Sequence, residues 1–578
     1  MESADAARPV GGTRWRLLPL AIALLLPAVL WGIVFAIFPP SKQNFTFVDD
    51  WSYTRSAIGF ASRAGIRYYN WASMPCLGAL LWAFPFIRAF GAAPVTLRVS
   101  TMVLACGAIA AFYDLVGREN ALSTRQAAFA TACLALNPLF FLLAATFYTD
   151  IPALAFSLIA LALYSRGLRK DCAWLWAAAT AVAVMATITR QNAVTVPLTA
   201  AFLWWTQDGL RKRPSWAIGI IVPIAACIAA DAWLARHVTS KMTAEWTSIR
   251  TMPVVIFLAA HLLGLSTLPL LFQRQIRDWK AFILALVLMG DVAVLLAVLE
   301  VRPYGGIFPY LGDWFSPWGQ FGENTIMPGT RPVLYGTELR WILSFAGCVS
   351  GAALITHAFA GWREGLARKP LFVFTLLHLP FLAIAPTVFD RYLLVLLPGA
   401  ISICSGAPMA RLGARLGTAL LAVIGFVSLA SIHDLMAWNS ARVALGQRAL
   451  ARGIAPTDIE GGFAWDGWYA ENGATDLAPR PPRGLTLAVT RLFFPHVTGR
   501  YALSFSPLPN SRVIDSEPYV QWLIPGEHRF YFVEETPGVF RRAGRFPPVV
   551  LAGNRNKISF FRLNSRFKCH RLYSRRNL

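Results

Sequence analysis

Two adjacent carboxylates are the first residues in this sequence suited to chemistry: Asp49 and Asp50 in "NFTFVDDWSY", just beyond the first long apolar run. A third, Asp150, sits in "NPLFFLLAATFYTDIPALAF", between two apolar runs, with Pro152 starting the next helix. Arg190 in "MATITRQNAVTVP" and Arg391 in "APTVFDRYLLVLLP", beside Asp390, occupy the same kind of junction. A carboxylate takes a proton from a hydroxyl or helps to hold a metal, and a guanidinium grips phosphate through paired hydrogen bonds. Either arginine alone reads as a side chain snorkelling to a membrane interface. Ionisable groups at such places are costly, however, and two arginines with three carboxylates on one face suit function better than decoration.

Those junctions exist because the chain is built of membrane spans. Its 578 residues are 56% hydrophobic and only 14% charged, with a mean hydropathy of +0.51, which is the composition of a polytopic membrane protein. The run Leu17 to Phe38 follows Arg8, Arg14 and Arg16 and ends in "FPPSKQN" without a small-residue cleavage site, so it reads as a retained first span. The net charge of +23 comes from 53 basic against 30 acidic residues, gathered in short clusters between apolar runs and in the final tail. That distribution is explained by topology and makes nucleic acid no expected partner. The cysteines are scattered and form no CxxC pair, so neither a disulfide framework nor a zinc motif is indicated.

A hydrocarbon core of about 30 Å needs about 20 helical residues. Beyond the first, candidate runs lie near 98–116, 126–145, 152–165, 173–189, 193–206, 215–235, 252–272, 281–299, 339–360, 371–388, 392–409 and 416–436. The expected fold is therefore an all-α polytopic membrane protein of about 13 spans. The run "PCLGALLWAFPFIRAF" (75–90) is short and broken by Pro85. If it crossed, the basic loops 117–125, 165–171, 208–214, 273–280 and 362–370 would all face outward, against the positive-inside rule. It is therefore expected to lie in or near the outer interface. This parity puts 39–97, "FYTD", "TRQN", 300–338, "FDR" and everything after 436 on one outer side.

The loop 300–338, rich in Gly, Pro and aromatics, offers Asp313, Glu323 and Asn324 and suits a sugar-binding lid. His261 and His378 stand singly inside spans and are expected to make polar contacts between helices. Residues 437–578 are less apolar. They carry "GIAPTDIEGGFAWDGWYAENG", then β-rich stretches such as "LTLAVTRLFF", "HRFYFVE" and "KISFFRL", enough for a small external α/β domain. The basic run Arg541 to Arg576 reads as solvated.

The acidic pair after the first span, the interfacial helix, the second acidic turn and the late "RYLL..LP" together resemble the GT-C superfamily of membrane glycosyltransferases. The likeness is to the bacterial branch of aminoarabinose lipid A transferases and protein O-mannosyltransferases, and it covers roughly residues 15–436. The first-loop motif of that family, Asp-Glu with an aromatic three residues later, reads Asp49, Asp50 and Tyr53 here. By this resemblance Asp49 is the catalytic base, and Asp50 and Asp150 orient donor or acceptor. The family's lysine after the fifth span is replaced by Arg190, which keeps the cation, and Arg391, Asn192, Tyr53 and Tyr69 complete the implied substrate-binding set. The segment "YYNWASMPCLG" keeps Pro75 but offers Asn70 and Ser73 where relatives carry charged neighbours, so whether a divalent metal ion is a cofactor is left open.

The resemblance implies a polyprenyl-phosphate sugar donor, a lipid, glycan or protein acceptor, and an inverting displacement. The setting implied is the inner membrane, multi-pass, among membrane lipids, with the site facing the periplasm. A transporter or flippase for a lipid-linked saccharide is the alternative, although such proteins usually show internal repeats and charges near the midplane. A non-catalytic polymer-assembly protein would tolerate loss of Asp49.

Overall fold

A computed structural model describes residues 14–39, 42–62, 74–207, 209–237, 252–272, 276–298, 327–334, 336–363, 365, 369–384, 389–406, 411–470, 485, 490 and 494–536. Tyr69, the centre of the 300–338 loop with Asp313, Glu323 and Asn324, "KISFFRL" and the basic run to Arg576 lie outside the described residues, as does most of "LTLAVTRLFF".

The chain is mostly helical. It begins with α1 (Arg14–Ile37), α2 (Asp50–Ala61), α3 (Leu77–Phe90) and α4 (Pro94–Glu119). Next come α5 (Thr124–Ala135), α6 (Pro138–Ala144), α7 (Asp150–Lys170), α8 (Ala173–Thr189), α9 (Thr195–Thr206) and α10 (Gly209–Lys212). There follow α11 (Ile218–His237), α12 (Met252–Leu271), α13 (Trp279–Val298), α14 (Thr337–Arg363), α15 (Pro370–Ile384) and α16 (Leu397–Cys404). Among the described residues the last two are α17 (Arg411–Ala451) and α18 (Phe463–Ala470).

Among the described residues, α1, α4, α7, α11, α14 and α17 contain stretches long and apolar enough to cross a membrane. The pair α5 and α6 makes a seventh if it is one span bent by 63°. The bend has a local cause: Pro138 has no N–H to continue the helix, and Asn137 caps the new start by accepting from Leu139 N at 3.0 Å. Apolar side chains point both ways on α1, where Trp31 and Val34 are buried while Ile22, Leu25 and Val29 are exposed. That is a helix meeting protein on one side and hydrocarbon on the other.

Two expected spans take another form. The run 392–409 is not one crossing helix but a 3-10 turn, Asp390–Leu396, followed by the eight-residue α16. The seven residues of the turn rise about 14 Å and the eight of α16 about 12 Å, so the run is a broken helix rather than one regular span. Pro398 and Gly399 open α16 and Gly406, at φ +114, follows its end. The run 193–206 likewise divides into a 3-10 turn, Gln191–Val194, and α9. The helix at 75–90, short and containing Pro85, forms as α3.

Close helix contact is clearest where α12 crosses α14. A Cβ on Gly264 would strike the backbone of Ser350 and Gly351, and one on Gly351 would meet Met289 and the Ala260 carbonyl. Small residues let two backbones approach where apolar solvent offers no hydrophobic drive. Gly264→Val is therefore expected to cost about 1–3 kcal/mol, seen as a lower melting midpoint in detergent; an unchanged midpoint would refute the close crossing. His261, on the same helix, lies 4.0 Å from Cys348 Sγ on α14, the interhelical contact expected of it.

The helix α17 has 41 residues, about 60 Å. Its first half exposes Leu412, Leu416, Val423 and Phe426, and its second half buries His433, Asp434, Trp438, Asn439 and Arg442. The second half carries the sheet of the C-terminal part: β1 (Ile459–Glu460), β2 (Tyr501–Ser504), β3 (Ser511–Val520) and β4 (Glu527–Glu535), in the order β1-β2-β4-β3. Only β1 and β2 run parallel, and β3 carries an irregularity between Val513 and Asp515. Trp438 packs against Phe505 and Phe530 with centroids 5.2 and 6.4 Å away. Asp434 accepts from Trp522 N at 2.6 Å and Leu523 N at 3.0 Å, and His433 stacks on the Trp522 ring at 4.0 Å. The sheet is thus tied to the same helix whose other half faces hydrocarbon, and the boundary expected at 436/437 falls inside that helix.

Candidate active site

The site is built around the turn that delivers Asp49. Arg98, near the start of α4, donates to Gln43 O at 2.8 Å and to Phe45 O, and lies over the rings of Phe45 and Phe47 at 4.9 and 4.4 Å. Asp50 is 2% exposed, and both its oxygens are occupied: Oδ1 accepts from Phe47 N at 2.7 Å and Oδ2 from Phe147 N at 3.3 Å. Between them Val48 stands at φ +35, where a β-branched residue is strained. The anchors on either side hold that strain in place and set Asp49 at the entry to α2. Asp49 N donates to the Tyr148 hydroxyl at 3.0 Å, and its Oδ2 accepts from Arg391 Nη2 at 3.3 Å.

The adjacent carboxylates therefore differ in kind. Asp49 is 21% exposed at its side chain, whereas Asp50 is sealed and fastens two backbone strands. Burial pushes the Asp50 carboxyl up to about 7, although Arg98 and the two backbone amides pull it down. Asp466, buried in α18, is likewise pushed to about 7 by burial, against the pull of Gly461 N and Arg442. Both pKa values stand above the unfolded value near 4. Their contribution is thus fully present below about pH 4 and lost as pH rises through about 7. The melting midpoint is expected to fall between pH 5 and pH 8, less steeply in Asp50→Asn; identical slopes would remove Asp50 from the cradle.

Asp150 opens α7 and Arg190 ends α8, and the two form a buried ion pair. Negative charge at a helix N-terminus and positive charge at a C-terminus are each favoured by the helix dipoles. Arg190 departs from the helix in extended backbone, φ −150 and ψ 129, and the carbonyl of Thr189 before it accepts from Cys76 N at 3.1 Å, tying the start of α3 to this corner. The Tyr392 ring lies between the two guanidiniums, 5.0 Å from Arg190 and 5.6 Å from Arg391. Arg391 also stacks over Tyr148 at 4.7 Å and Phe389 at 5.1 Å.

These residues open onto a small recess. Asp150, Arg190, Asn192, His378, Arg391 and Tyr392 line it together with Ser157 and the apolar Ala153, Leu154, Leu394 and Val395. Asp49 does not line the recess itself; Arg391 connects them. Tyr53, one turn along α2 from Asp49, is buried, and burial raises its pKa in a field that includes Arg190, Arg391 and Asp49. Tyr69 lies outside the described residues. His378 makes the expected interhelical contact, Nδ1 to Thr195 Oγ1 at 3.2 Å, but also lines the recess, which its sequence setting did not reveal. Tyr148 and Tyr392 were equally missed, although each adjoins a residue singled out, Asp150 by two positions and Arg391 by one.

Among the described residues no three His, Cys, Asp or Glu side chains converge to hold a metal ion. Asp49 and Asp150 each face an arginine. This donor set does not fit a metal.

Fold and site together define a multi-pass helical membrane protein with a charged recess where its helices end. Residues 74–233 match the family model described as dolichyl-phosphate-mannose-protein mannosyltransferase, which bears out the resemblance to GT-C membrane glycosyltransferases. Among solved structures, ArnT from Cupriavidus metallidurans bound to undecaprenyl phosphate aligns at 13% identity and TM-score 0.41, covering 90% of this chain and 98% of that one. Its apo state aligns at 16% identity and TM-score 0.34 over the same shares. The arabinosyltransferase EmbB from Mycobacterium smegmatis aligns at 14% identity and TM-score 0.32, covering 83% of this chain and 47% of that one. No curated protein sequence matches the chain.

Proposed function

We propose that the chain is an inverting glycosyltransferase of the inner membrane. It moves a sugar from a polyprenyl-phosphate donor to a lipid, glycan or protein hydroxyl at the periplasmic face. The observation that carries this reading is the pairing of a partly open carboxylate, Asp49, with Arg391, which lines the same recess as the Asp150–Arg190 pair.

In this reading Asp49 accepts the proton of the acceptor hydroxyl as its oxygen attacks the anomeric carbon. The bond from that carbon to the phosphate oxygen breaks on the opposite face, and the polyprenyl phosphate leaves with the electron pair. Arg190 and Arg391 stabilise the charge that develops on the leaving phosphate. Arg190 Nε is buried with no hydrogen-bond partner among the described residues, a donor that an anion would satisfy. Ala153, Leu154, Leu394 and Val395 give the recess an apolar side suited to the start of a prenyl chain. Asp150 holds Arg190, Asn192 and Tyr53 orient the sugar, and Asp50 fixes the turn.

The test compares surface glycolipids and glycans by mass spectrometry with and without the gene. A single sugar mass missing from one acceptor is expected and would name both. The same loss with the polyprenyl-linked saccharide accumulating on the cytoplasmic side, rather than on the periplasmic side, would favour the flippase alternative.

A further inference from the structure

The tail segment "GGFAWDGW" (461–468), which has no part in the reaction just described, grips the element that carries Asp49 from both sides. On the near side, Arg442 of α17 donates from Nη1 to Gly461 O at 3.2 Å and from Nη2 to Thr46 O at 3.5 Å. It thereby bridges the tail to the turn three residues ahead of Asp49. On the far side, Arg55 Nη1 donates to Gly467 O at 3.2 Å and Trp468 O at 3.1 Å. These carbonyls lie in the last turn of α18, where helical partners run out and a cation is welcome. Between the two, Trp51 is wholly buried, lies edge-on to Phe494 at 6.2 Å, and comes so close to Gly467 that a Cβ there would enter its indole ring.

The tail segment is itself held rigid. Asp466 Oδ1 accepts from Gly461 N at 3.0 Å, closing the loop that leads into α18, and buried Glu460 accepts from Thr490 Oγ1 at 2.6 Å. Arg190 and Arg391 stand on other supports, the end of α8 and the 3-10 turn Asp390–Leu396.

We propose that the segment 459–468, acting through Arg55, Arg442 and the Trp51–Gly467 contact, is a positioning element for Asp49. The proposal rests on the transferase reading in assigning Asp49 its task. It separates two duties: the tail sets the base, and the α8 and 3-10 corner holds the phosphate. Loss of the clasp therefore lowers turnover without weakening donor binding, because misplacing a reacting group by about 1 Å costs about 10²-fold while leaving the anion's partners intact.

The experiment uses the full chain in nanodiscs with Arg55→Met, Arg55→Lys and Gly467→Ala. Three quantities are read: kcat and KM with a polyprenyl-phosphate sugar, direct binding of polyprenyl phosphate, and amide hydrogen exchange over residues 44–56. Arg55→Met and Gly467→Ala are expected to lower kcat at least about tenfold, with KM and polyprenyl-phosphate affinity within about twofold and faster exchange over 44–56. Arg55→Lys, which keeps the charge and one donor in reach, should fall between. Unchanged kcat, or kcat and polyprenyl-phosphate binding lost together, would overturn the proposal. A wild-type protein inactive with every such donor would sink the transferase reading instead. The exchange measurement would then decide the clasp alone, and unaltered exchange over 44–56 in Arg55→Met would end it.

Discussion

Asp49→Asn is expected to lower sugar transfer about 10³-fold while the protein still inserts and elutes as a single species. General-base catalysis contributes about 10²–10⁴-fold, and the amide retains the shape of the carboxylate but not its ability to take a proton. The fold should tolerate the change. Asp49 is the least buried of the three carboxylates, its backbone hydrogen bond to the Tyr148 hydroxyl survives, and Asp50 still pins the turn. Arg391 loses its charged partner but keeps its stacking on Tyr148, Phe389 and Tyr392. Asp49→Glu, which moves the carboxylate by one methylene, should retain measurable transfer. Near-normal activity in Asp49→Asn, with equal protein in the membrane, would remove Asp49 as the base and with it the mechanism proposed above.

The second large effect is expected at Arg190. Removing one partner of a buried ion pair leaves the other charge uncompensated and costs about 3–5 kcal/mol, so Arg190→Met should express poorly as well as fail in transfer. That outcome alone does not separate a structural arginine from one that holds phosphate. The double variant Arg190→Met with Asp150→Asn does, because it removes both charges and should recover much of the lost stability. If Arg190 grips the donor phosphate, the recovered protein stays inactive and binds polyprenyl phosphate at least about tenfold more weakly, a loss of about 1.4 kcal/mol. If the pair only braces α7 against α8, transfer returns with the fold. Arg190→Lys keeps the charge but loses the planar stack on Tyr392, and an intermediate affinity is expected.

Much of the corner was legible because its residues stand where apolar runs stop. Asp150 and Arg190 each announce themselves as charges at a helix end, and their pairing follows once α7 and α8 are recognised as neighbours in the chain. What distinguishes Asp49 from Asp50 was not legible in two identical letters. It depends on the Phe47 and Phe147 amides closing over one carboxylate and on Arg391 approaching the other from 342 positions away. Arg98, the first residue of the run 98–116, was not singled out, yet it holds the carbonyls ahead of the acidic turn. The break in the run 392–409 was not legible because hydropathy sums over residues and ignores Pro398 and Gly399, which start a short helix after a 3-10 turn. The tail resisted interpretation for the same reason as the Asp49–Arg391 pair, since Arg442 and Thr46 are 396 positions apart.

That last separation bears on biosynthesis. A chain made from its N-terminus outward commits Asp49 to one side of the membrane when the first helices insert, and domains tend to settle in the order of synthesis. Thr46 then waits for 396 further residues before α17 delivers Arg442, and longer still before Gly467 closes on Trp51. A product truncated ahead of α17 would keep α1, α4 and α7 and both halves of the Asp150–Arg190 pair, yet lack Arg442 and α18, which hold the turn on either side of Asp49. On the proposed reading, synthesis through α18 is a condition for setting the turn around Asp49, and a protein stopped short of it lacks both sides of the clasp.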